Sequence, residues 1–172
     1  MQAEQYRIEP LSDRHNRAAF SCGVEALDRW FHENISQEIS RRTAAAFVLT
    51  GDGVSVAGFY TLSTLSILGA DLPPQLAKKL PSRSPIGVTL LGRMGVHQDC
   101  KGQGLGEVLL MDALKRSWET SRHVASWAVV VDAKQDVRAF YLKYDFIPFS
   151  TQPNRLFLPM KIIEKLFLSA GK

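Results

Sequence analysis

Leu90-Leu91-Gly92-Arg93-Met94-Gly95-Val96-His97-Gln98-Asp99-Cys100-Lys101-Gly102-Gln103-Gly104-Leu105-Gly106-Glu107-Val108-Leu109-Leu110 is the stretch that decides the fold. Val88, Thr89, Leu90 and Leu91, leading into it, have the apolar and β-branched character of a buried strand. Glycines follow at alternate positions 102, 104 and 106, and then the apolar run Val108 to Met111, which reads as helix. Glycines spaced this way let the backbone turn with its N–H groups aimed inward beside a helix N-terminus. Unpaired amides, no side-chain bulk and the positive end of the helix dipole together make an anion site. A ligand carrying phosphates is expected there.

Spacing narrows the ligand. A P-loop needs G-x-x-x-x-G-K-[ST], which is absent. A dinucleotide fingerprint needs G-x-G-x-x-G, whereas Gly102-x-Gly104-x-Gly106 runs straight into Glu107 and is one residue too compact. A glycine-rich strand-to-helix turn with no ligand is the plain alternative.

The 172 residues suit one domain, 1–172, with a sizeable core. Apolar content of 45% and charged content of 22% are those of an ordinary globular protein, which argues against a disordered or membrane-spanning chain. No apolar run approaches the length of a membrane span, and Met1-Gln2-Ala3-Glu4-Gln5 lacks a signal-peptide pattern. Cys22 and Cys100 lie far apart and form neither a metal motif nor a disulfide framework, so no metal and a reducing cytoplasm are expected. A net charge of +4 permits a polyanionic partner without requiring one.

Along the chain, Tyr6-Arg7-Ile8-Glu9-Pro10 alternates like a short edge strand, and Asp13 is placed to cap a short helix through Phe20. Val24, Leu27, Phe31 and Ile35 recur at helical spacing with Trp30 widening the apolar stripe, which predicts a helix from about residue 24 to 40. Residues 44–49 and 54–62 flank Gly51-Asp52-Gly53 as a hairpin. Asp71 to Pro85, with prolines at 73, 74, 81 and 85 and the cations Lys78, Lys79 and Arg83, reads as a long basic connection holding a short helix. After the glycine loop a helix runs to about Ser121. Ala125 to Val131 follows as a strand buried on both faces, and a helix from Asp136 carries Val137, Phe140, Tyr141 and Tyr144. Phe146 to Phe149 and Leu156 to Leu158 are extended, and Ile162-Ile163 with Leu166-Phe167 make a small amphipathic helix. The order predicts a mixed α/β sheet with helices on both faces.

With these elements placed, Lys101-Gly102-Gln103-Gly104-Leu105-Gly106 resembles the pyrophosphate loop [RQ]-x-x-G-x-[GA] of GNAT acyltransferases, with Lys101 at the position usually held by Arg or Gln. Ala139-Phe140-Tyr141-Leu142-Lys143-Tyr144-Asp145-Phe146 resembles the family's A-x-x-F-Y-x-x-x-G-F, with Asp145 in place of a glycine that ends the helix left-handed. Phe20 to Trp30, Gly58 to Ser63, Leu91 to Val96 and the tail Pro159 to Phe167 are similar to a narrower group, the GNAT toxins of type II toxin–antitoxin pairs (TacT/AtaT-like), over nearly the whole chain.

That resemblance implies a GNAT fold, a mixed central sheet of six to seven strands with one splayed strand pair, and an N-acetyltransferase. The co-substrate would be acetyl-CoA. Backbone groups of Met94, Gly95 and Val96 would bind its pantetheine arm, and the amides of Lys101, Gly102, Gln103, Gly104, Leu105 and Gly106 its pyrophosphate. Gln135 and Asp136 are further candidates for the pantetheine. Toxins of this group acetylate the α-amine of aminoacyl-tRNA and block translation. The resemblance also implies a ribbon-helix-helix antitoxin as partner and a homodimer. Tyr141 matches the tyrosine that protonates the departing CoA thiolate; its ordinary alternative is a core aromatic. Arg93 is a candidate for the tRNA acceptor end or for a structural ion pair. Arg41, Arg42, Lys78, Lys79 and Arg83 are candidates for a phosphate-tracking surface or simply solvated charges. None of His15, His32, His97 and His123 is placed by the sequence as a base. The other functions open at this point are a GNAT enzyme for a small amine or protein amine, and a non-catalytic binding module.

Overall fold

The computed structural model describes residues 5–81 and 85–170. Its strands are β1 (Arg7–Pro10), β2 (Ala45–Thr50), β3 (Gly58–Ile67), β4 (Ile86–Val96), β5 (Ala128–Asp132), β6 (Ile147–Pro148) and β7 (Arg155–Pro159). Its helices are α1 (Glu25–Glu33), α2 (Ile35–Ser40), α3 (Pro74–Ala77), α4 (Leu105–Ser121), α5 (Gln135–Lys143) and α6 (Met160–Ala170). The strands form one mixed seven-stranded sheet in the order β1-β2-β3-β4-β5-β7-β6. β1 with β2, β2 with β3, β5 with β7 and β6 with β7 are antiparallel, whereas β4 and β5 are parallel. The β4–β5 register sets Thr89, Leu90 and Leu91 against Val129, Val130 and Val131, and β4 then continues through Gly92–Val96.

The chain forms two compact units, Met1–Ser63 with Gly92–Ala113, and Thr64–Leu91 with Leu114–Lys172. In the first, Phe20, Phe31, Ile35, Val48 and Phe59 are almost wholly buried, with Leu27, Trp30 and Ile39 packed against them. Its aromatic rings interlock: Phe31 stacks on Phe59 at 4.1 Å, and Phe20 meets both edge-on at 5.0 and 5.4 Å. In the second, Ile67, Leu72, Val88, Ala128, Val130 and Phe157 make the core, with Trp127 and Phe149 rings beside Phe157. Val129, Val130 and Val131 are all buried, which is why that run lacks the alternation of a half-exposed strand. No helix among the described residues is long and apolar enough to cross a membrane.

Three sequence expectations change. The helix of 24–40 is broken at Asn34, whose φ of −110° departs from helical values, so that α1 ends and α2 restarts. The Asn34 amide still reaches the Trp30 carbonyl at 2.8 Å, and the Trp30 indole N–H spans the break to Glu38 at 2.7 Å. The segment capped by Asp13 is not helical but a run of turns. The Asn16 amide donates to the Val54 carbonyl at 2.7 Å, and Asn16 pairs with Ser55 in a single parallel bridge, so tertiary backbone bonds replace the local ones a helix needs. The hairpin stands, but β3 begins only at Gly58, because the Ser55 and Val54 amides and the Ser55 hydroxyl bind the Asp52 carboxylate and hold the intervening chain in a turn. The same bonds keep Asp52 ionised well below the usual carboxylate range.

The strand β1 is tied to the following turn through Glu9. Its carboxylate accepts from Arg14 at 2.8 Å, from the buried His15 ring at 2.7 Å and from Arg7 at 3.0 Å. The Ser12 amide donates to His15 Nδ1, which leaves the proton on Nε2 to point at Glu9. Arg14, His15 and Arg7 together lower the Glu9 pKa from 4.5 to about 2. A depressed carboxylate adds stability that is present above pH 4.5 and lost as pH falls towards 2. Thermal melts of wild type and Glu9→Gln should therefore differ most above pH 5 and converge between pH 4.5 and 2. An equal gap at pH 3 and pH 7 would show that the ion cluster is not the source.

Candidate active site

The glycine loop takes the form its spacing predicts. After the 3-10 turn Gln98–Cys100, Lys101 is extended, Gly102 has φ +83° and Gly104 φ +76°, and α4 begins at Leu105. These left-handed values cost an L-residue about 1–2 kcal/mol each, which is why glycine stands there. The Val108 amide makes the first intrahelical bond, to the Gly104 carbonyl at 3.3 Å, so the Leu105, Gly106 and Glu107 amides precede the helical ladder. A Cβ built on Gly102 or Gly104 meets nothing within 4 Å. Open space over left-handed glycines at the head of a 17-residue helix is a fit for a pyrophosphate.

Below the glycines the loop is pinned. The His97 amide donates to the Ala57 carbonyl and the Gln98 amide to the Ser21 carbonyl, both at 2.8 Å. His97 Nδ1 accepts from the Asp99 amide, and its Nε2 donates to the Ala19 carbonyl at 3.2 Å while the ring packs edge-on against Phe20. His97 is therefore a structural tether. Lys101 has its ammonium on the Cys22 carbonyl at 2.7 Å. It fastens the loop to the segment before α1, and its charge stays near the loop as a point charge with donors to spare.

Met94, Gly95 and Val96 close β4, where period-2 alternation sends Arg93 and Gly95 to one face and Met94 and Val96 to the other. Gly95 is there because of a close approach: a Cβ would lie 3.2 Å from Leu27 Cδ2 and 3.4 Å from the Phe59 ring. One helical turn beyond Leu27, Trp30 lies under the exposed Arg93, whose guanidinium carbon is 4.0 Å from the ring centroid. The Arg93 amide is bound by Thr61 Oγ1 at 2.9 Å. The ion pair considered for Arg93 is thus a cation–π stack. Trp30 had read as a core residue only, and no local sequence signal links it to Arg93.

Arg41 and Arg42 follow α2, both exposed; Arg42 has φ +61°. In the second unit, Lys78 and Lys79 are exposed after α3, and Arg83 lies outside the described residues. Gln135 and Asp136 open α5, with Lys134 rather than Asp136 as the cap residue. Tyr141 lies on that helix, 7% exposed, with edge-on contacts to Phe140 at 5.2 Å and Phe146 at 5.4 Å. Burial pushes its phenol up to about 12. Asp145 has φ +70°, so it does the work of the glycine it replaces. No cluster of histidine, cysteine or carboxylate side chains among the described residues could hold a metal ion.

Residues 84–163 match the acetyltransferase (GNAT) domain model. The chain is 33% identical to the probable toxin TacT of Sinorhizobium fredii, over 92% of this chain and 93% of that one. It is 34% identical to a tRNA-acetylating toxin of Mycobacterium tuberculosis, over 88% and 90%. This chain belongs to the GNAT acetyltransferase family. Among solved GNAT structures, AtaT complexed with acetyl-methionyl-tRNAfMet superimposes with a TM-score of 0.87 at 30% identity, covering 94% of this chain and 99% of that one. A Tyr-to-Phe mutant of AtaT bound to the C-terminus of the antitoxin AtaR and acetyl-CoA gives 0.81 at 27% identity, covering 95% and 98%.

The loop conformation predicts a clean effect. Gly104→Ala introduces strain without a clash, so acetyl-CoA affinity should fall about 5- to 30-fold in calorimetric titration, the equivalent of about 1–2 kcal/mol. Unchanged affinity would mean that the left-handed turn is not needed for binding.

Proposed function

We propose that this chain is an acetyl-CoA-dependent N-acetyltransferase toxin that acetylates the α-amino group of aminoacyl-tRNA and so blocks translation. The observation that carries this reading is the similarity over nine-tenths of the chain to acetylating toxins, joined to a glycine loop built for a pyrophosphate. Residues 1–172 act as one GNAT domain in the cytoplasm, and a cognate antitoxin of ribbon-helix-helix type neutralises a homodimer. The AtaT complexes with tRNA and with AtaR support tRNA and an antitoxin as partners.

In this mechanism the backbone of Met94, Gly95 and Val96 holds the pantetheine, with Gln135 and Asp136 as further contacts. The amides from Lys101 to Gly106 hold the pyrophosphate. An α-amine has a pKa near 8, and the adjacent ester lowers it, so much of the substrate is neutral at physiological pH without a dedicated base. His15, His32 and His97 are each engaged by carboxylate or backbone partners, in keeping with that economy. The amine attacks the thioester carbonyl, and collapse of the adduct breaks the C–S bond. Tyr141 gives its proton to the departing thiolate. A phenol raised to about 12 keeps that proton throughout the working range, and a thiolate released where water is scarce is itself made more basic. Arg93 receives the acceptor end of the tRNA. Arg41, Arg42, Lys78, Lys79 and Arg83 track its phosphates, which gives binding a steep salt dependence.

The direct test is transfer of labelled acetyl from acetyl-CoA to a charged total-tRNA pool, with uncharged tRNA as control. Label should appear on charged tRNA only and leave with the amino acid on mild base treatment. Tyr141→Phe should lower kcat by about 100- to 10,000-fold, keep acetyl-CoA affinity and relieve growth arrest on expression. Label on small amines or protein amines with none on tRNA would replace the substrate proposed. The pH profile tests the tyrosine separately: kcat/KM should rise with deprotonation of the amine and show no fall up to pH 9.5. A descending limb near pH 9 that disappears in Tyr141→Phe would contradict a phenol titrating near 12.

A further inference from the structure

Arg93 is the outermost layer of a column. Its guanidinium lies over Trp30 at 4.0 Å, Trp30 stacks on Phe59 with planes 18° apart, and Phe59 stacks on Phe31 with planes 20° apart. Everything beneath the guanidinium is held. Phe31 and Phe59 are wholly buried, the indole N–H is anchored on Glu38 at 2.7 Å, and the Arg93 amide is fixed by Thr61 at 2.9 Å. The ring contact orients the guanidinium, and the side chain remains exposed. A surface cation serving only as a charge needs neither the plane nor the anchoring.

We propose that this column is a nucleobase platform: a base of the single-stranded 3′ end of the tRNA stacks on the outer face of the Arg93 guanidinium, with Trp30 and Glu38 as positioning residues. Planar cations and aromatics are the surfaces on which unpaired bases stack, and a free 3′ end offers the unpaired bases that this requires. The position suits the task, because Arg93 immediately precedes Met94–Val96, the segment assigned to the acyl donor. Phosphate uses the charge and the donor fork of a guanidinium, whereas a base stacks on its plane, so lysine and arginine are not equivalent here and the fluorescence of the terminal base reports stacking by itself. The inference rests on the aminoacyl-tRNA reading above and adds which chemical group of the substrate is gripped.

The experiment compares wild type, Arg93→Lys, Arg93→Leu and Glu38→Gln. Arg93→Lys keeps the charge and loses the plane. It should raise KM for charged tRNA about 10-fold, as far as Arg93→Leu does, with kcat within about twofold and acetyl-CoA affinity unchanged. Glu38→Gln, which loosens the indole anchor and leaves Arg93 intact, should raise KM by about threefold. A second readout uses an uncharged acceptor-stem minihelix with 2-aminopurine as its 3′-terminal base. Wild type should quench the fluorescence on binding, and saturating Arg93→Lys should not. A wild-type KM together with wild-type quenching in Arg93→Lys would overturn the platform and leave the tRNA reading standing. Wild-type protein that binds acetyl-CoA but transfers no acetyl to charged tRNA would overturn that reading, and the platform with it.

Discussion

Gly95 has no side chain, and α1 rests against β4 because of it. A methyl group there would meet the end of the Leu27 side chain at 3.2 Å, a tight contact, and the Phe59 ring at 3.4 Å, an ordinary one. The contact therefore sets how near the helix can come to the strand. Leu27 marks the approach, and Trp30, one turn later, arrives beneath Arg93 two residues back along the strand. The same helix carries Phe31 into the aromatic cluster with Phe20 and Phe59. One missing methyl thus couples the first unit's core to the surface end of β4.

The glycine loop obeys a related logic with the opposite sign. Its glycines are needed for backbone angles rather than for want of room, since nothing lies within 4 Å of where their side chains would be. Freedom of that kind is costly unless both sides are held. Here the loop is held by the His97 and Gln98 amides and the Lys101 ammonium on one side, and by the start of α4 on the other. A rigid frame around a bare turn leaves backbone amides as the main recognition surface. Such a surface suits a phosphate by geometry and dipole and depends little on any one side chain, so Lys101 is compatible with the role proposed for the loop.

Tyr141 shows how a core-like residue can also suit the role of acid proposed for it. It is buried among Phe140 and Phe146, as an aromatic on an amphipathic helix should be, and that burial is what raises its phenol. The apolar surroundings thus set the phenol's acidity as well as its packing.

Much of this was legible in the residues alone. The strand ending at Val96, the left-handed turn at Gly102 and Gly104, the long α4, the buried valines of β5 and the left-handed Asp145 all follow from local rules of periodicity and backbone sterics. Those rules act over a few residues, so a sequence displays them directly. What failed or was missed involved partners distant along the chain. Asp13 had the look of a cap, but the Val54 carbonyl captured the Asn16 amide, and turns formed instead. Trp30 matched a core stripe, and only the tertiary structure set it under Arg93 and bridged it to Glu38 across the break at Asn34. The Lys101 ammonium donates to the Cys22 carbonyl, a partner too distant along the chain for any local pattern to show. The sequence by itself determined most of the strands, the long helix and the glycine turn, because each is written in neighbouring residues. Which surface cation lies over an aromatic ring, and over which one, was decided by the tertiary structure, because ring contacts and hydrogen bonds need close contact between groups that sequence order keeps apart.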